Sequence, residues 1–190
     1  QLAVDNNRCV DVAALADASA TTGDAGRARY RPELLFLDAG CTLNGGRARE
    51  AADAFTVLLR DAPDSPHARE AAYYRFRALD VARANDASLT PAFEDALATY
   101  LARWEKSDGA GEAHFLLAEL HRSRGDCTRA GTEYAKVGPG AFAARAKLGT
   151  LECQVGTLGP KSDPAERTRL TGALRGFVNE TPAKGKDETL

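Results

Sequence analysis

Apolar residues recur along this chain every three or four positions, and no stretch shows clean alternation at a period of two. The pattern is plain at Ala51, Ala54/Phe55 and Leu58/Leu59. It returns at Phe93, Leu97, Tyr100/Leu101 and Trp104, and again at Phe115, Leu117/Ala118 and Leu120/His121. Such spacing lays one apolar stripe along a helix. It predicts helices over residues 6–19, 31–44, 47–61, 67–84, 91–104, 111–124, 126–137, 140–155 and 164–180, and no strand. The breaks carry turn residues: Gly23-Asp24-Ala25-Gly26, Gly45-Gly46, Pro63-Asp64-Ser65-Pro66, Gly109-Ala110-Gly111, Gly125-Asp126 and Gly138-Pro139-Gly140. Short connections between helices predict an all-α chain of antiparallel pairs, one domain over 1–180. Residues 181–190 are polar and contain Lys and Gly, and are expected to form a flexible tail.

The stretch RDAPDSPHAREAAYYRF, residues 60–76, shows how two helices are separated. Pro63 lacks an N–H and restricts the residue before it, so it ends one helix. Asp64 or Ser65 is expected to cap the next, with Pro66 in its first turn. The chain thereby reverses and stacks a new helical pair.

These pairs repeat. When Ala51 is aligned with Ala130, Gly46 meets Gly125, Phe55 meets Tyr134, Leu58 meets Val137 and Ala39 meets Ala118. A looser middle unit, with Ala78, Ala96 and Tyr100, is lengthened by the loop 85–90. A degenerate fourth unit holds Gly149, Ala173 and Phe177. In this the sequence resembles the tetratricopeptide repeat (TPR) family, through Ala39, Ala51, Phe55 and Pro63 in the first unit and Leu117, Ala118, Ala130 and Tyr134 in the third. The string Pro63, Ser65, Ala68, Ala71, Tyr73 also looks like a bacterial envelope subset, which includes the Tol-Pal accessory protein and outer-membrane assembly lipoproteins. The resemblance implies a right-handed stack of helical hairpins, a TPR-like α-solenoid of about nine helices. Ala39 and Ala118 would let paired helices approach closely, and Phe55 and Tyr134 would fill the space beside them.

The four cysteines fall symmetrically on two hairpins. Cys9 and Cys41 are equidistant from the Gly23–Gly26 turn, and Cys127 and Cys153 from the Gly138–Gly140 turn. Residues equidistant from the turn of an antiparallel hairpin are neighbours, so each pair can reach disulfide distance. The expected bonds are Cys9–Cys41 and Cys127–Cys153; the alternative is four buried thiols packing as small hydrophobes. Bonded pairs imply an oxidising compartment, periplasmic or outer-membrane-associated.

Composition changes this picture little. The 190 residues are 44% hydrophobic and 27% charged, with a net charge of −2. That balance gives no electrostatic case for nucleic acid. No apolar run is long enough to span a bilayer. The absence of Met leads us to expect a processed fragment of a longer product, with a signal or lipid anchor removed upstream. With 19 Arg against 6 Lys and abundant Ala, the composition suggests a GC-rich bacterial genome.

Catalytic chemistry finds no foothold. The glycine clusters lack the residues of a phosphate loop, and no nucleophile context is present. His114 and His121 share a helical face with Glu119, but they sit where a helix packs on its partner and lack a third ligand. His67, after Pro66, is read as exposed. No cofactor, metal or catalytic residue is therefore expected. The resemblance implies instead a scaffold or adaptor of a bacterial cell-envelope assembly, holding a partner peptide or helix in a concave groove. By family position that groove would be lined by Phe36, Leu43, Asn44, Arg75, Leu79, Arg83, Phe115, Glu119 and Arg122, with Phe36, Leu79 and Phe115 facing solvent. The Lys/Asn clamp of chaperone-binding members is not matched. The rival readings are a structural segment of a larger envelope protein and a metal- or solute-binding module using His114 and His121.

Overall fold

The structure, a computed structural model, describes residues 9–21 and 25–180, and within them it contains nine α-helices and no strand. These are α1 (Cys9–Thr21), α2 (Ala25–Asn44), α3 (Ala48–Asp61), α4 (Ala68–Arg83), α5 (Thr90–Trp104), α6 (Ala110–Ser123), α7 (Cys127–Tyr134), α8 (Ala143–Gly156) and α9 (Pro164–Glu180). The expected tail at 181–190, the residues before 9 and most of the first glycine turn lie outside the described residues. The chain divides into two compact units, 1–107 and 108–190.

In the first unit each helix packs chiefly on its neighbour in sequence, α1 on α2, α2 on α3, α3 on α4 and α4 on α5. The apolar stripe of α3 explains its place: Ala48, Ala51, Ala52, Phe55 and Leu58 are all buried. Full burial of Phe55 and Leu58 stabilises by about 1.5–3 kcal/mol each. Helix α4 is buried on two sides, through Ala68, Ala71, Ala72, Phe76, Ala78 and Leu79, because it lies between α3 and α5. An aromatic seam joins these helices. Phe36 packs on Phe55 at 6.0 Å, Phe55 on Tyr74 at 6.0 Å, Phe76 on Tyr100 at 5.3 Å, and Tyr100 on Trp104 at 5.7 Å.

In the second unit α6, α7 and α8 enclose a small core. Phe115, Ala118, Ala130, Tyr134, Ala146 and Cys153 are buried there, with Phe142 packed against them. Helix α9 leans on α8 and buries Leu170. Ala39 and Ala118, the two expected close-approach positions, are both fully buried.

The α2–α3 and α6–α7 turns are the same turn. Gly46 and Gly125 hold φ of 77° and 76°, a left-handed conformation that costs a residue with a Cβ. In each turn the next N–H reaches five residues back. Arg47 donates to the Thr42 carbonyl at 3.2 Å and Asp126 to the His121 carbonyl at 3.0 Å. This bond and the left-handed glycine together end a helix and satisfy its last carbonyls.

Several boundaries differ from the sequence reading. Helix α2 begins at Ala25, not 31, so Pro32 lies inside it. A proline early in a helix reads as a start signal, but a Pro that follows a formed turn forfeits only one bond. Helix α7 stops at Tyr134 and α8 starts at Ala143, because Gly138-Pro139-Gly140 takes more chain than a minimal turn. Residues 87–89 form a 3-10 turn capped by Asp86, which accepts from the Ser88 N–H at 3.1 Å. Neither Asp64 nor Ser65 caps α4; His67 occupies the cap position without a side-chain bond, and its ring stacks on Phe36 at 4.8 Å, half-buried rather than exposed.

Both expected disulfides are present. Cys9 and Cys41 join α1 to α2 with Cα atoms 5.6 Å apart, and Cys127 and Cys153 join α7 to α8 at 5.3 Å. They span 32 and 26 residues. On the chain-entropy model each stabilises by about 3–4 kcal/mol. Alkylation of the unreduced protein should label no cysteine, and digestion should yield peptides linked Cys9–Cys41 and Cys127–Cys153. Reduction should lower the melting temperature. Free thiols or crossed pairs would contradict the hairpin register.

Candidate functional site

The residues expected to line a groove are largely occupied inside their own units. Phe36, Leu79 and Phe115 are 6%, 5% and 2% exposed, which corrects the expectation that they face solvent. Phe36 lies among Phe55, His67 and Tyr74. Phe115 packs on Tyr134 and Phe142, and Arg145 lies 4.5 Å above its ring. These rings are core, because the α6 stripe that periodicity identifies is the one α7 and α8 cover. Arg83 is half-buried, bonded through Nε to Asp80 at 2.9 Å and placed over the Phe93 ring at 4.4 Å. Leu43 is half-buried and Asn44 exposed at the end of α2.

Glu119 and Arg122 belong to a polar network in the second unit. Arg122 donates to Glu119 from Nε at 3.2 Å and Nη2 at 2.8 Å, and its Nη1 stands 3.3 Å from Glu152 on α8. The Tyr134 hydroxyl on α7 donates to the same Glu119. Burial works against the Glu119 charge, but the hydrogen bonds from Arg122 and Tyr134 outweigh it and hold the carboxyl below its ordinary value. Burial, and then the bond to Glu119, push the Tyr134 phenol up, so it remains a donor. Arg122 is held more firmly cationic, first by its bond to Glu119. Gly149 on α8 makes room for this: a methyl group there would collide with the Tyr134 ring.

His114 is buried and donates from Nδ1 to Glu133 at 2.7 Å, with Lys136 3.1 Å from the same carboxylate. Burial raises Glu133, but the bonds from His114 and Lys136 prevail and lower it. Among the described residues no group of three or more His, Cys, Asp or Glu has an arrangement that could hold a metal.

One predicted residue, Arg75, leads elsewhere. It lines a hollow of about 250 Å³ between α3, α4 and α5, with Leu59, Arg60, Ala72, Arg103 and Trp104 among its walls. The Arg75 side chain is 16% exposed and its Nη2 meets Asp95 at 3.2 Å. Its Nε is buried with no hydrogen-bond partner. A buried donor left without a partner costs about 1–3 kcal/mol. A second hollow shares Arg103 and Trp104 and is lined by Ser65, whose hydroxyl is likewise buried without a partner. These are the two such atoms among the described residues. Arg103 lies over the Trp104 ring at 4.8 Å and reaches Asp64 at 2.7 Å. Nothing in the sequence pattern marks Arg60 or Arg103, and Trp104 enters it only as an apolar position of its helix. Both arginines stand in the last turn of their helices, where a basic residue is commonplace.

No protein-family model matches this sequence, and no curated protein matches it. Among the described residues no helix is long and apolar enough to cross a membrane.

Two outcomes follow from the Tyr134 network. Gly149→Ala should lower the melting temperature although alanine is the better helix former. Overpacking against a buried ring costs about 1–3 kcal/mol. A rise in melting temperature would remove the close approach. The second concerns acid. A carboxyl whose folded pKa is depressed stabilises above its unfolded value, here the ordinary 4.5, and loses that contribution as pH falls through the folded value. The stability gap between the parent and Glu119→Gln should therefore be widest near neutral pH and shrink as the pH falls through 4.5 and below. A gap independent of pH would show that Glu119 carries no such linkage.

Proposed function

We propose that this chain is a non-catalytic interaction module, a scaffold or adaptor of a bacterial cell-envelope assembly that holds a peptide or helix of a partner protein. The reading rests on repeated construction. The same glycine turn follows α2 and α6, the same hairpin position carries a disulfide in each unit, and helices pack mainly on their sequence neighbours. Chains built this way present successive helix faces on a firm frame, which suits them to docking extended partners. Disulfides are the mark of an oxidising compartment, and an envelope location agrees with them. The TPR resemblance supplies the comparison for the solenoid arrangement and the envelope setting.

A second reading, a structural segment of a larger envelope protein, is favoured by one observation. The charged residues of the expected stripe are paired within the chain, Arg83 with Asp80 and Arg122 with Glu119 and Glu152.

Photo-crosslinking separates the two. A photoreactive residue at Asn44, Arg83 or Arg122 should give a discrete adduct with one envelope protein in the native cell. The same residue at Arg129 or Thr168, both exposed, should not. Adducts from no position, or from all alike, would favour the structural segment.

A further inference from the structure

We propose that the hollow between α3, α4 and α5 is a binding site for a small organic acid, a carboxylate carried on a flat apolar body. The inference does not depend on the adaptor reading, since every wall belongs to the first unit.

Three guanidinium groups, of Arg60, Arg75 and Arg103, line the hollow, and no carboxylate does. Their acidic partners stand outside its walls. Asp95 and Asp64 are 65% and 90% exposed, and Asp61 accepts from Arg60 on the outer surface. Exposed pairs of this kind are weak and yield to a better-placed anion. A guanidinium offers five donors in one plane, and each of these spends few of them on its aspartate. Arg75 is the anchor, mostly withdrawn from water, with its Nε unpartnered. The rest of the lining is mostly apolar, chiefly Leu59, Ala72 and Trp104, with Thr56 and Thr99 beside them. Arg103 lies across the Trp104 face, and that stacked pair suits a flat ligand.

Size and lining narrow the class. A volume of about 250 Å³ lies just under the range usual for ligand pockets, roughly 300–1,000 Å³, and suits a compact occupant. Inorganic phosphate or sulfate would leave the apolar walls unused, and a neutral aromatic would leave the guanidinium groups unmatched. An aryl or short-chain carboxylate uses both.

The test uses the whole chain with its disulfides intact and 3-phenylpropionate as probe. Trp104 is the only tryptophan, so its fluorescence reports on the walls it forms, here and in the neighbouring hollow, and Arg60, which lines this hollow and not the other, separates the two. The carboxylate should change that signal saturably, and the neutral 3-phenylpropionamide should bind at least tenfold more weakly. By calorimetry, the double variant Arg60→Gln, Arg103→Gln should lose at least tenfold in affinity with little change in melting temperature, since the two side chains are 71% and 44% exposed. Arg129→Gln, on the exposed side of α7, should bind as the parent does. Equal binding of acid and amide, full affinity in the double variant, or no saturable signal would each overturn the site. Tighter binding of a short peptide through its C-terminal carboxylate would overturn the free acid as occupant and assign the hollow to a protein ligand.

Discussion

Helices in this chain meet through alanine. More than half of the buried apolar positions among the described residues are alanines, including Ala39, Ala51, Ala71, Ala78, Ala118 and Ala130. Alanine adds no rotamer entropy to the cost of folding and lets helix axes approach closely, but each one buries little surface. Everything else answers that constraint. A few large rings, Phe55, Phe76, Phe93 and Tyr100, supply the burial that alanine does not. Where even a methyl group is too much, Gly149 admits the ring of Tyr134. Cross-links then reduce the freedom of an unfolded chain whose folded form has a modest apolar core.

The same constraint shapes the candidate sites. Close helices leave no room in the core for long side chains, so arginines gather at helix ends and along the seams. In the second unit Arg122 is absorbed by Glu119 and Glu152. In the first, Arg75 is packed between helices with its Nε unmet, and Arg60 and Arg103 close the walls beside it. The aromatic seam that begins at Phe36 ends at Trp104, on the wall of that hollow. Core and candidate site are thus two ends of one run of packed rings.

What could be read in the sequence follows from what periodicity encodes. Each of the nine helices overlaps a span expected from apolar spacing and the turn residues between, and both disulfides follow from the symmetry of cysteines about a turn. The start of α2 was misplaced because Pro32 mimics a helix beginning, and the loop before α8 was longer than its glycines implied. Function-bearing positions were much less legible. A helical stripe tells which face is apolar; it does not tell whether a neighbouring helix covers it, which is the whole difference between a groove and a core at Phe36, Leu79 and Phe115. Arg60 and Arg103 carried no signal, since their meeting with Arg75 depends on three helices that only the fold brings together.

The placement of the two disulfides has a mechanical side. Each closes its loop within one compact unit, and neither crosses the boundary near Ser107. Under a pulling load, residues inside a closed loop cannot lengthen the chain, and each loop withholds on the order of 100 Å of extension. With both bonds formed, extension would come from the helices outside those loops, α3 to α6 and α9, while α1–α2 and α7–α8 stayed tethered. Reduction of the two bonds would lengthen the fully stretched chain as well as lower its stability.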